Sequence, residues 1–587
     1  MEFNGETRVS NRLTEGIVVD GNSGQVLFGA RNPRQNTQID NLLLSQDAGI
    51  AVLNNSGTVS FGEATVLNAQ GNPGGGAGID VRNNAGLVNF IDMQVDSLGG
   101  TAFFGLNNSL IRSQDGQIIA QDETAVDIEQ SGIDMTLRRV DSTDSPDHGI
   151  RLVETNKDEG RRFVVRPTAV NQFPSGQGGL ITGAKGDGNP NLDAAGIFLS
   201  NAGRVEIREM TLDDNEYGVL IANTESYLDG SGNVIDVNDG DEQLFFMEYS
   251  RIDGSDIRGV EATDLVNLQL VNSTFDDNGD DNTNGWDTIY AQYTVALDDI
   301  DRTRQYDQAD RPFYVNIESN QITSNQHDAI RIVSQPGARG AAILTEIFTN
   351  RITVNDLTDP TAGPFDDARP LLDDGFYMDW EGPARVRFDG NQMDMRAPAG
   401  QMAFVFDNDA TEDLTEMSIQ SNVMDITNLG VNPGAISVDI IGGYDIDNPS
   451  RFFEVSANTI NVSGATPTGM FFSLQPGTNS RAEQAYFNGN NITLQNDGGT
   501  GIQIRRAGQG ASFGFDNNIV AFIDDGAQPE RGFWFDQVNG FVRLRGLGNQ
   551  MGINGWVLPG NNTIEQLLDI PANASTGQVE INGIPLP

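Results

Sequence analysis

The chain of 587 residues has no cysteine, only two histidines and two lysines, and no long apolar run. The absence of cysteine excludes disulfides and thiol chemistry, so any metal would be held by carboxylates, amides or histidines. No segment approaches the roughly 18 consecutive apolar residues of a membrane span, and Met1 to Asn11 lacks the basic and apolar regions of a signal peptide. We therefore expect no direct membrane insertion. If the chain is exported, its signal and any anchor are expected outside this sequence.

Basic residues are scarce relative to acidic ones. Lys and Arg total 35 against 83 Asp and Glu, which gives a formal net charge of −48 and a pI near 4.1. Because such a surface repels phosphate backbones and anionic headgroups, the composition argues against nucleic-acid binding. The same surface attracts divalent cations.

A short strand pattern recurs along the chain: a small residue followed by apolar residues at alternating positions, as in Gly78-Ile79 with Val81. Alternation with a period of two predicts strands. Its starting residues in the first part of the chain are 49, 78, 102, 125 and 149, separated by 29, 24, 23 and 24 residues. A repeat of this length is typical of one three-sided coil of a solenoid, in which each coil buries only a narrow apolar strip.

In the second half, each such strand is preceded by an Asn-x-(Ile/Met) motif. The motif begins at Asn320, Asn350, Asn391, Asn422, Asn458, Asn490, Asn517 and Asn549. Asn tolerates left-handed backbone dihedral angles, so we predict a tight turn at each of these asparagines. On successive coils the asparagines are expected to stack as an amide ladder.

These patterns predict an all-β fold: one right-handed parallel β-helix of about 18 to 22 coils that runs over 1–587 as a single domain. Projecting loops are predicted near 157–195, 224–245, 290–312 and 355–374. A C-terminal cap is predicted near 556–587, where Thr563 to Ile570 has a helix-like pattern.

The Gly-Ile-x-Val strands and Asn-x-Ile turns resemble those of the right-handed parallel β-helix (pectate-lyase-like) superfamily, which includes polysaccharide lyases and hydrolases, phage tailspikes and bacterial surface proteins. The resemblance covers nearly all of the chain and is closest in character to bacterial surface and adhesin members. It implies the architecture, whereas function within the superfamily depends on what decorates the coils.

One stretch, Asn282 to Asp287, is similar to the Asn-Thr-Asp-Gly-x-Asp motif of polygalacturonase-type hydrolases. The resemblance implies five catalytic candidates, which are Asp287, Asp298, Asp299, His327 and Arg351. However, Asn284 stands in place of an acid, and an amide cannot act as a general acid. The alternative is that this stretch is an acidic loop without a catalytic role. His327 and His148 both precede a repeated strand, in spots interpreted as equivalent, and such repetition favours a structural role.

Calcium is the cofactor that the sequence allows. Oxygen ligands alternate in two loops, with Asp187, Asn189, Asn191 and Asp193 in the first and Asp280, Asn282 and Asn284 in the second. Both resemble the start of a calcium loop but lack its final bidentate Glu. The alternative is a solvated turn.

A carbohydrate platform is the remaining site hypothesis. Carboxylates lie beside aromatic residues from Asp373 to Glu381, and Tyr377 and Trp380 are the candidates for stacking on a sugar ring. The alternative is simple strand alternation, which points Phe376 and Met378 inward.

We expect a non-enzymatic, extracellular or cell-surface structural and adhesive protein: a rigid acidic rod that self-associates and binds divalent cations. Two alternatives stay open, namely a polysaccharide-degrading enzyme, either a polygalacturonase-like hydrolase or a lyase, and a non-catalytic rod that binds glycans.

Overall fold

The computed structural model describes most of the chain. The described residues are 1–3, 7–10, 16–29, 36–40, 43–44, 48–71, 76–155, 161–169, 174–186, 193–223, 244–279, 287–294, 313–324, 327–335, 343–355, 374–382, 384–397, 402–408, 415–431, 433–442, 453–476, 484–495, 498–505, 512–523, 531–536, 541–544, 550–553, 568–569, 579–581 and 584–585. Every regular element among them is a β-strand. None of these residues forms a helix with the length and apolar character needed to cross a membrane. The chain divides into two compact units, Met1–Asn278 and Gly279–Pro587.

The strands of the first unit are short, and most of them alternate buried and partly exposed residues. They are β1 (Glu2–Phe3), β2 (Thr7–Ser10), β3 (Ile17–Asp20), β4 (Gln25–Phe28), β5 (Asn36–Asp40), β6 (Leu43–Leu44), β7 (Ile50–Leu53), β8 (Thr58–Gly71), β9 (Ile79–Arg82), β10 (Leu87–Leu98), β11 (Phe103–Leu106), β12 (Leu110–Ser113), β13 (Gly116–Gln121), β14 (Val126–Glu129), β15 (Ile133–Leu137), β16 (Arg139–Thr143), β17 (His148–Val153), β18 (Arg162–Val165), β19 (Gly179–Thr182), β20 (Ala195–Ser200), β21 (Arg204–Arg208), β22 (Met210–Asp213), β23 (Tyr217–Ala222), β24 (Leu244–Glu248), β25 (Arg251–Asp253), β26 (Arg258–Thr263), β27 (Asn267–Val271) and β28 (Thr274–Asn278).

The strands of the second unit follow the same plan. They are β29 (Ile289–Tyr293), β30 (Phe313–Glu318), β31 (Gln321–Ser324), β32 (Ile330–Ser334), β33 (Ile343–Phe348), β34 (Arg351–Asn355), β35 (Phe376–Trp380), β36 (Ala384–Asp389), β37 (Gln392–Ala397), β38 (Met402–Asn408), β39 (Thr415–Gln420), β40 (Val423–Val431), β41 (Gly434–Gly442), β42 (Phe453–Ser456), β43 (Thr459–Ala465), β44 (Thr468–Pro476), β45 (Gln484–Asn488), β46 (Asn491–Gln495), β47 (Thr500–Arg505), β48 (Ser512–Asp516), β49 (Ile519–Phe522), β50 (Arg531–Asp536), β51 (Phe541–Leu544), β52 (Gln550–Ile553), β53 (Leu568–Asp569), β54 (Val579–Ile581) and β55 (Ile584–Pro585).

From β11 onward each coil contributes three strand segments, and a strand pairs in parallel with the strand three places further along the chain. On the two preceding coils, the long strands β8 and β10 each span two of these segments and pair with each other. In the first unit, β11, β14, β17 and β20 form one such series, with Phe103, Val126, Ile150 and Ile197 in register. In the second unit, β32, β35, β38 and β41 form another. Parallel strands stacked in long sheets are the arrangement of a β-helix-like solenoid, as the repeat predicts.

The core of each unit is a set of columns of identical or similar side chains. Phe28, Phe61 and Phe90 lie on successive coils of the first unit, with ring centroids 4.8 and 5.2 Å apart. In the second unit, Phe487 and Phe515 stack at 4.7 Å. Strand separation of about 4.8 Å matches the stacking distance of aromatic rings, so burial and ring contact reinforce each other.

The predicted amide ladder is present in the second unit. It consists of Asn320, Asn350, Asn391, Asn422, Asn458, Asn490 and Asn518, all buried. Each Oδ1 accepts the backbone N–H and the side-chain Nδ2–H of the preceding asparagine, as Asn422 does from Asn391 at 2.8 and 3.1 Å. The Nδ2 of Asn422 also donates to the Phe388 carbonyl at 2.7 Å. From Asn350 to Asn490, every polar atom of the side-chain amides is therefore used inside the stack.

Two details of that prediction are wrong. The left-handed residue is the one before the ladder asparagine, such as Ser421 with φ 56° and Ala457 with φ 56°. The last ladder member in the described residues is Asn518, whereas Asn517 takes the left-handed position with φ 57°. The inward residue after it is consequently Val520, and Ile519 points outward, because a slip of one residue exchanges the two faces of a strand. Asn549 lies outside the described residues.

A second ladder lies in the first unit, and the sequence patterns did not predict it. Asn22, Asn55, Asn84 and Asn108 bond in series, and Asn108 Nδ2 ends the series on Ser131 Oγ at 3.2 Å. The signal is an Asn-Asn pair after the strand on three successive coils, at 54–55, 83–84 and 107–108.

Some predicted loops contain strands. Residues 157–195 include β18 and β19, and β29 occupies the start of 290–312. The parts of 224–245 and 355–374 before β24 and before Asp374 lie outside the described residues, apart from Asn355. Leu568–Asp569, within the helix-like segment, is a strand that pairs in parallel with Phe533–Trp534. Stacking on an existing strand outweighs local helix propensity there. Near the C-terminus, β55 pairs antiparallel with β54.

Candidate functional site

Of the residues predicted for hydrolysis, two lie on neighbouring coils and a third lies on a different sheet. Asp287 lies two residues before β29 and is 5 % exposed. His327 is partly buried on the neighbouring coil, since Ile289 and Ile330 are paired. Arg351 begins β34, which belongs to a different sheet from β29 and β32, and its side chain is exposed. Asp298 and Asp299 lie outside the described residues, so the described part of the chain does not assemble the five-residue site.

Most of the predicted calcium ligands cannot be placed. Asp187, Asn189 and Asn191 of the first loop, and Asp280, Asn282 and Asn284 of the second, lie outside the described residues, whereas Asp193 is described and exposed. Within the ranges given above, no three His, Asp or Glu side chains are arranged to hold a metal ion. The two calcium loops stay predictions.

The two aromatic candidates for sugar stacking have different positions. Trp380 is completely buried, with its ring centroid 5.4 Å from that of Tyr293 and 6.1 Å from that of Phe313. Even spacing from Phe376 places it on the inward face, which corrects the prediction, because a sugar platform needs an exposed ring. Tyr377 points outward, but it is only 9 % exposed, and the Arg331 guanidinium lies 4.8 Å from its ring centroid.

His148 is a structural acceptor. Its Nδ1 accepts the backbone N–H of Ala195 at 3.2 Å, and its ring stacks on Phe198 at 4.5 Å. Burial, together with the nearby Arg151 charge, lowers the pKa of His148 to about 3. The imidazole is therefore neutral at physiological pH. His148 precedes the small residue Gly149 directly, whereas His327 is two residues before Ala329. The position equivalent to His148 is thus Asp328, which corrects the expected match of the two histidines.

Three buried aspartates occupy this position on successive coils of the second unit. They are Asp287, Asp328 and Asp374, with exposures of 5 %, 1 % and 1 %, and we call them the aspartate column. Asp328 Oδ1 accepts the Asp374 N–H at 2.7 Å, and Asp374 Oδ1 accepts the Met402 N–H at 2.9 Å. Each of these two carboxylates thereby joins its coil to the next.

Arg331 is the cation of the aspartate column. Its Nη1 lies 3.4 Å from Asp328 Oδ2, and its side chain stands between Tyr290 and Tyr377 in register. Burial raises the pKa of the Asp328 carboxyl well above its usual range, and the Asp287 charge adds to this effect. Arg331 opposes both. Burial disfavours the Arg331 cation too, yet the charges of Asp287 and Asp328 raise the pKa of Arg331 overall.

A row of carboxylates on the outward face of the same sheet was missed by the sequence analysis. Asp379, Asp407 and Asp439 are in register on β35, β38 and β41, and we call them the carboxylate row. Asp407 is buried, although it alternates with the inward residues Phe404 and Phe406. Asp439 Oδ1 is buried and has no hydrogen-bond partner among the described residues. The signal was available, because each aspartate comes three residues after the first apolar residue of its repeat.

The row continues with residues of other chemistry. Ser473 follows Asp439 in register, and Arg505 follows Ser473. Two residues earlier on the same strands, Tyr377, Val405 and Ser437 form a parallel row. The outward face of this sheet thus carries carboxylates, a hydroxyl and a guanidinium at intervals set by strand spacing.

The chain matches no protein-family model, and no curated protein or solved structure shows significant similarity to it. The class that the strands define is a parallel β-structure of solenoid type.

Proposed function

We propose that the chain is a non-enzymatic structural or adhesive protein of the cell surface or extracellular space, built as one right-handed parallel β-helix. The observation that carries this proposal is the asparagine ladder, which runs without interruption through seven coils from Asn320 to Asn518. A chain that uses its buried polar groups to join coil to coil is suited to rigidity along the stack.

Small-angle X-ray scattering tests the rod. With strands about 4.8 Å apart and about 25 to 30 residues per coil, one continuous solenoid is on the order of 100 Å long. An elongated particle of that length is the expected result. Two lobes with a flexible hinge would refute the single helix.

The acidic surface gives the proposal its expected partners: divalent cations, copies of the same chain, and glycans. At a net charge of −48, self-association requires bridging or screening of carboxylates. Light scattering with calcium, and again with a chelator, should show larger particles only with calcium. An identical monomer under both conditions would exclude ion-bridged assembly.

A second candidate function, polysaccharide hydrolysis, is favoured by the carboxylate row. Carboxylates on adjacent strands are set about 4.8 Å apart, close to the roughly 5 to 5.5 Å separation in retaining glycosidases. If the row is catalytic, Asp407→Asn and Asp439→Asn should each abolish the release of reducing ends from acidic polysaccharides. Asp425→Asn, an exposed change in the other sheet, is the matched control. No release by the unsubstituted chain would leave the scaffold as the function.

A further inference from the structure

A groove on the first unit is lined by three arginines, although the chain as a whole is strongly acidic. Its volume is about 420 Å³, and its lining includes Arg138, Arg166 and Arg208 together with Gln114, Asp115, Thr136, Pro167 and Thr168. From 161 to 186 the sequence has four basic residues, Arg161, Arg162, Arg166 and Lys185, and no acidic one. In a chain of net charge −48, this is a local reversal.

Two of the three arginines are held in place by their surroundings. Arg138 Nη1 lies 3.0 Å from both Asp92 and Asp115, which fixes its guanidinium and compensates its charge. Arg208 lies over the Phe246 ring, 5.3 Å from its centroid, with Nε 3.5 Å from a Glu248 oxygen. Both guanidinium groups are therefore already occupied by carboxylates of the chain.

Arg166 is the third arginine, and it differs from the others. Its backbone N–H donates to the Leu137 carbonyl at 2.7 Å, which anchors the residue at the end of β18. Its side chain is exposed, and it pairs with no carboxylate in the part of the chain that the structure describes. An anchored backbone with an uncommitted guanidinium is suited to bidentate contact with an incoming carboxylate.

The charged residues around the groove indicate what charge its ligand should carry. Three guanidinium groups line the groove, and three carboxylates (Asp92, Asp115 and Glu248) pair with Arg138 and Arg208, which leaves the charge of Arg166 unpaired. One negative group balances it. A polyanion would be repelled by the other acidic surfaces of the chain, so the arrangement favours a ligand with a single anionic group at the site.

The other lining residues indicate which uncharged groups the ligand should have. Thr136, Thr168, Gln114 and Asp115 offer hydroxyl, amide and carboxylate partners for hydroxyl groups, and Pro167 offers a small apolar surface. We propose that this groove binds a hydroxylated monocarboxylate of the size of a sugar acid, with Arg166 holding the carboxylate. The proposal is independent of the scaffold function, because a rod without this ligand would have the same fold.

Isothermal titration of the full chain at low salt tests the site, with glucuronate, glucose and acetate as probes. We expect one glucuronate per chain, and binding at least tenfold weaker for glucose and for acetate, each of which has only one of the two features. Arg166→Gln should weaken glucuronate binding by tenfold or more, because a charge-assisted pair is lost. Arg396→Gln, an exposed arginine of the second unit, should leave the affinity unchanged.

Three results would overturn the proposal: no glucuronate binding up to about 10 mM, equal binding by Arg166→Gln, or acetate binding as tightly as glucuronate. Circular dichroism melting of Arg166→Gln checks that the fold is intact. A neutral oligomer that ends in one sugar acid separates the two sources of this chemistry. Binding of the oligomer as tightly as the monomer identifies the end of a polysaccharide, whereas binding of the monomer alone identifies a free sugar acid, and either result supports the site.

Discussion

The asparagine ladder and the aspartate column of the second unit stack polar side chains on successive coils, and both are buried. In the ladder each amide has a donor and an acceptor, so each member bonds to the next, and its remaining Nδ2–H is used by a backbone carbonyl such as that of Phe388. In the column each ionised carboxylate can only accept. Asp328 and Asp374 therefore accept backbone N–H groups, and the column needs the guanidinium of Arg331 beside it.

The difference shows that stacking identical side chains in register stabilises the fold when the side chains are neutral and destabilises it when they are charged. Identical amides can repeat without limit because no charge accumulates. Identical carboxylates repel each other at about 4.8 Å, and burial increases the repulsion. In the described residues the column accordingly ends after three members, and Met402 occupies the next coil at the corresponding step.

The largest loss of stability is expected when a buried asparagine of the ladder is replaced by an aspartate. Asn422→Asp keeps the shape but places a carboxylate where Nδ2 donates to Phe388 O and Asn458 Oδ1, with no cation available to it in the ladder. We expect a loss of about 3 to 5 kcal/mol in the free energy of unfolding at pH 7, measured with urea. The exposed Asn491→Asp should cost no more than about 0.5 kcal/mol. Equal losses would mean that the ladder amides contribute nothing specific.

His148 shows what a neutral acceptor does at the strand position of the aspartate column. Its folded-state pKa of about 3 lies below the unfolded value of 6.5. The stabilisation that neutral His148 gives to the folded state is therefore fully present above pH 6.5 and is lost as the pH falls towards 3. We expect a loss of about 2 kcal/mol between pH 6.5 and pH 5, measured by urea unfolding against pH. His148→Gln should remove this part of the slope, and an unchanged slope would contradict the assignment.

Asp328 should show the opposite dependence on pH. Because its folded-state pKa is raised, its contribution is fully present below about pH 3.8 and is lost as the pH rises through the folded pKa. Asp328→Asn retains an acceptor for the Asp374 N–H, so we expect a variant as stable as the original at pH 4. At pH 7 it should be more stable by about 1.4 kcal/mol for each unit of the shift. A variant that is less stable at pH 7 would show that the ion pair with Arg331 outweighs the burial of the charge.

The smallest effect concerns the geometry of the cation. Arg331→Lys keeps the positive charge beside the aspartate column but loses the planar contact with the Tyr377 ring. We expect a cost of about 1 kcal/mol in urea unfolding. Arg396→Lys, at an exposed site, should have no measurable cost. Equal costs would mean that only charge matters in the column.

The amino-acid sequence alone determined the strands, their inward faces and most of the ladder. The small-apolar-x-apolar pattern and the Asn-x-Ile turn are local, and every coil repeats them, so they can be read without knowing which coil lies on which. The error at Asn517 arose where two asparagines adjoin, because local pattern cannot choose between them and only the stacking of Asn518 on Asn490 does.

Only the tertiary structure decided which polar side chains meet. Asp328 and Asp374 are 46 residues apart and His148 and Ala195 are 47 apart, although the repeat is about 24 residues long in the first part of the chain. Insertions of unequal length separate the strands in sequence but not in the stack. The register of the strands therefore depends on which strand each segment pairs with, and that pairing is a property of the folded sheet.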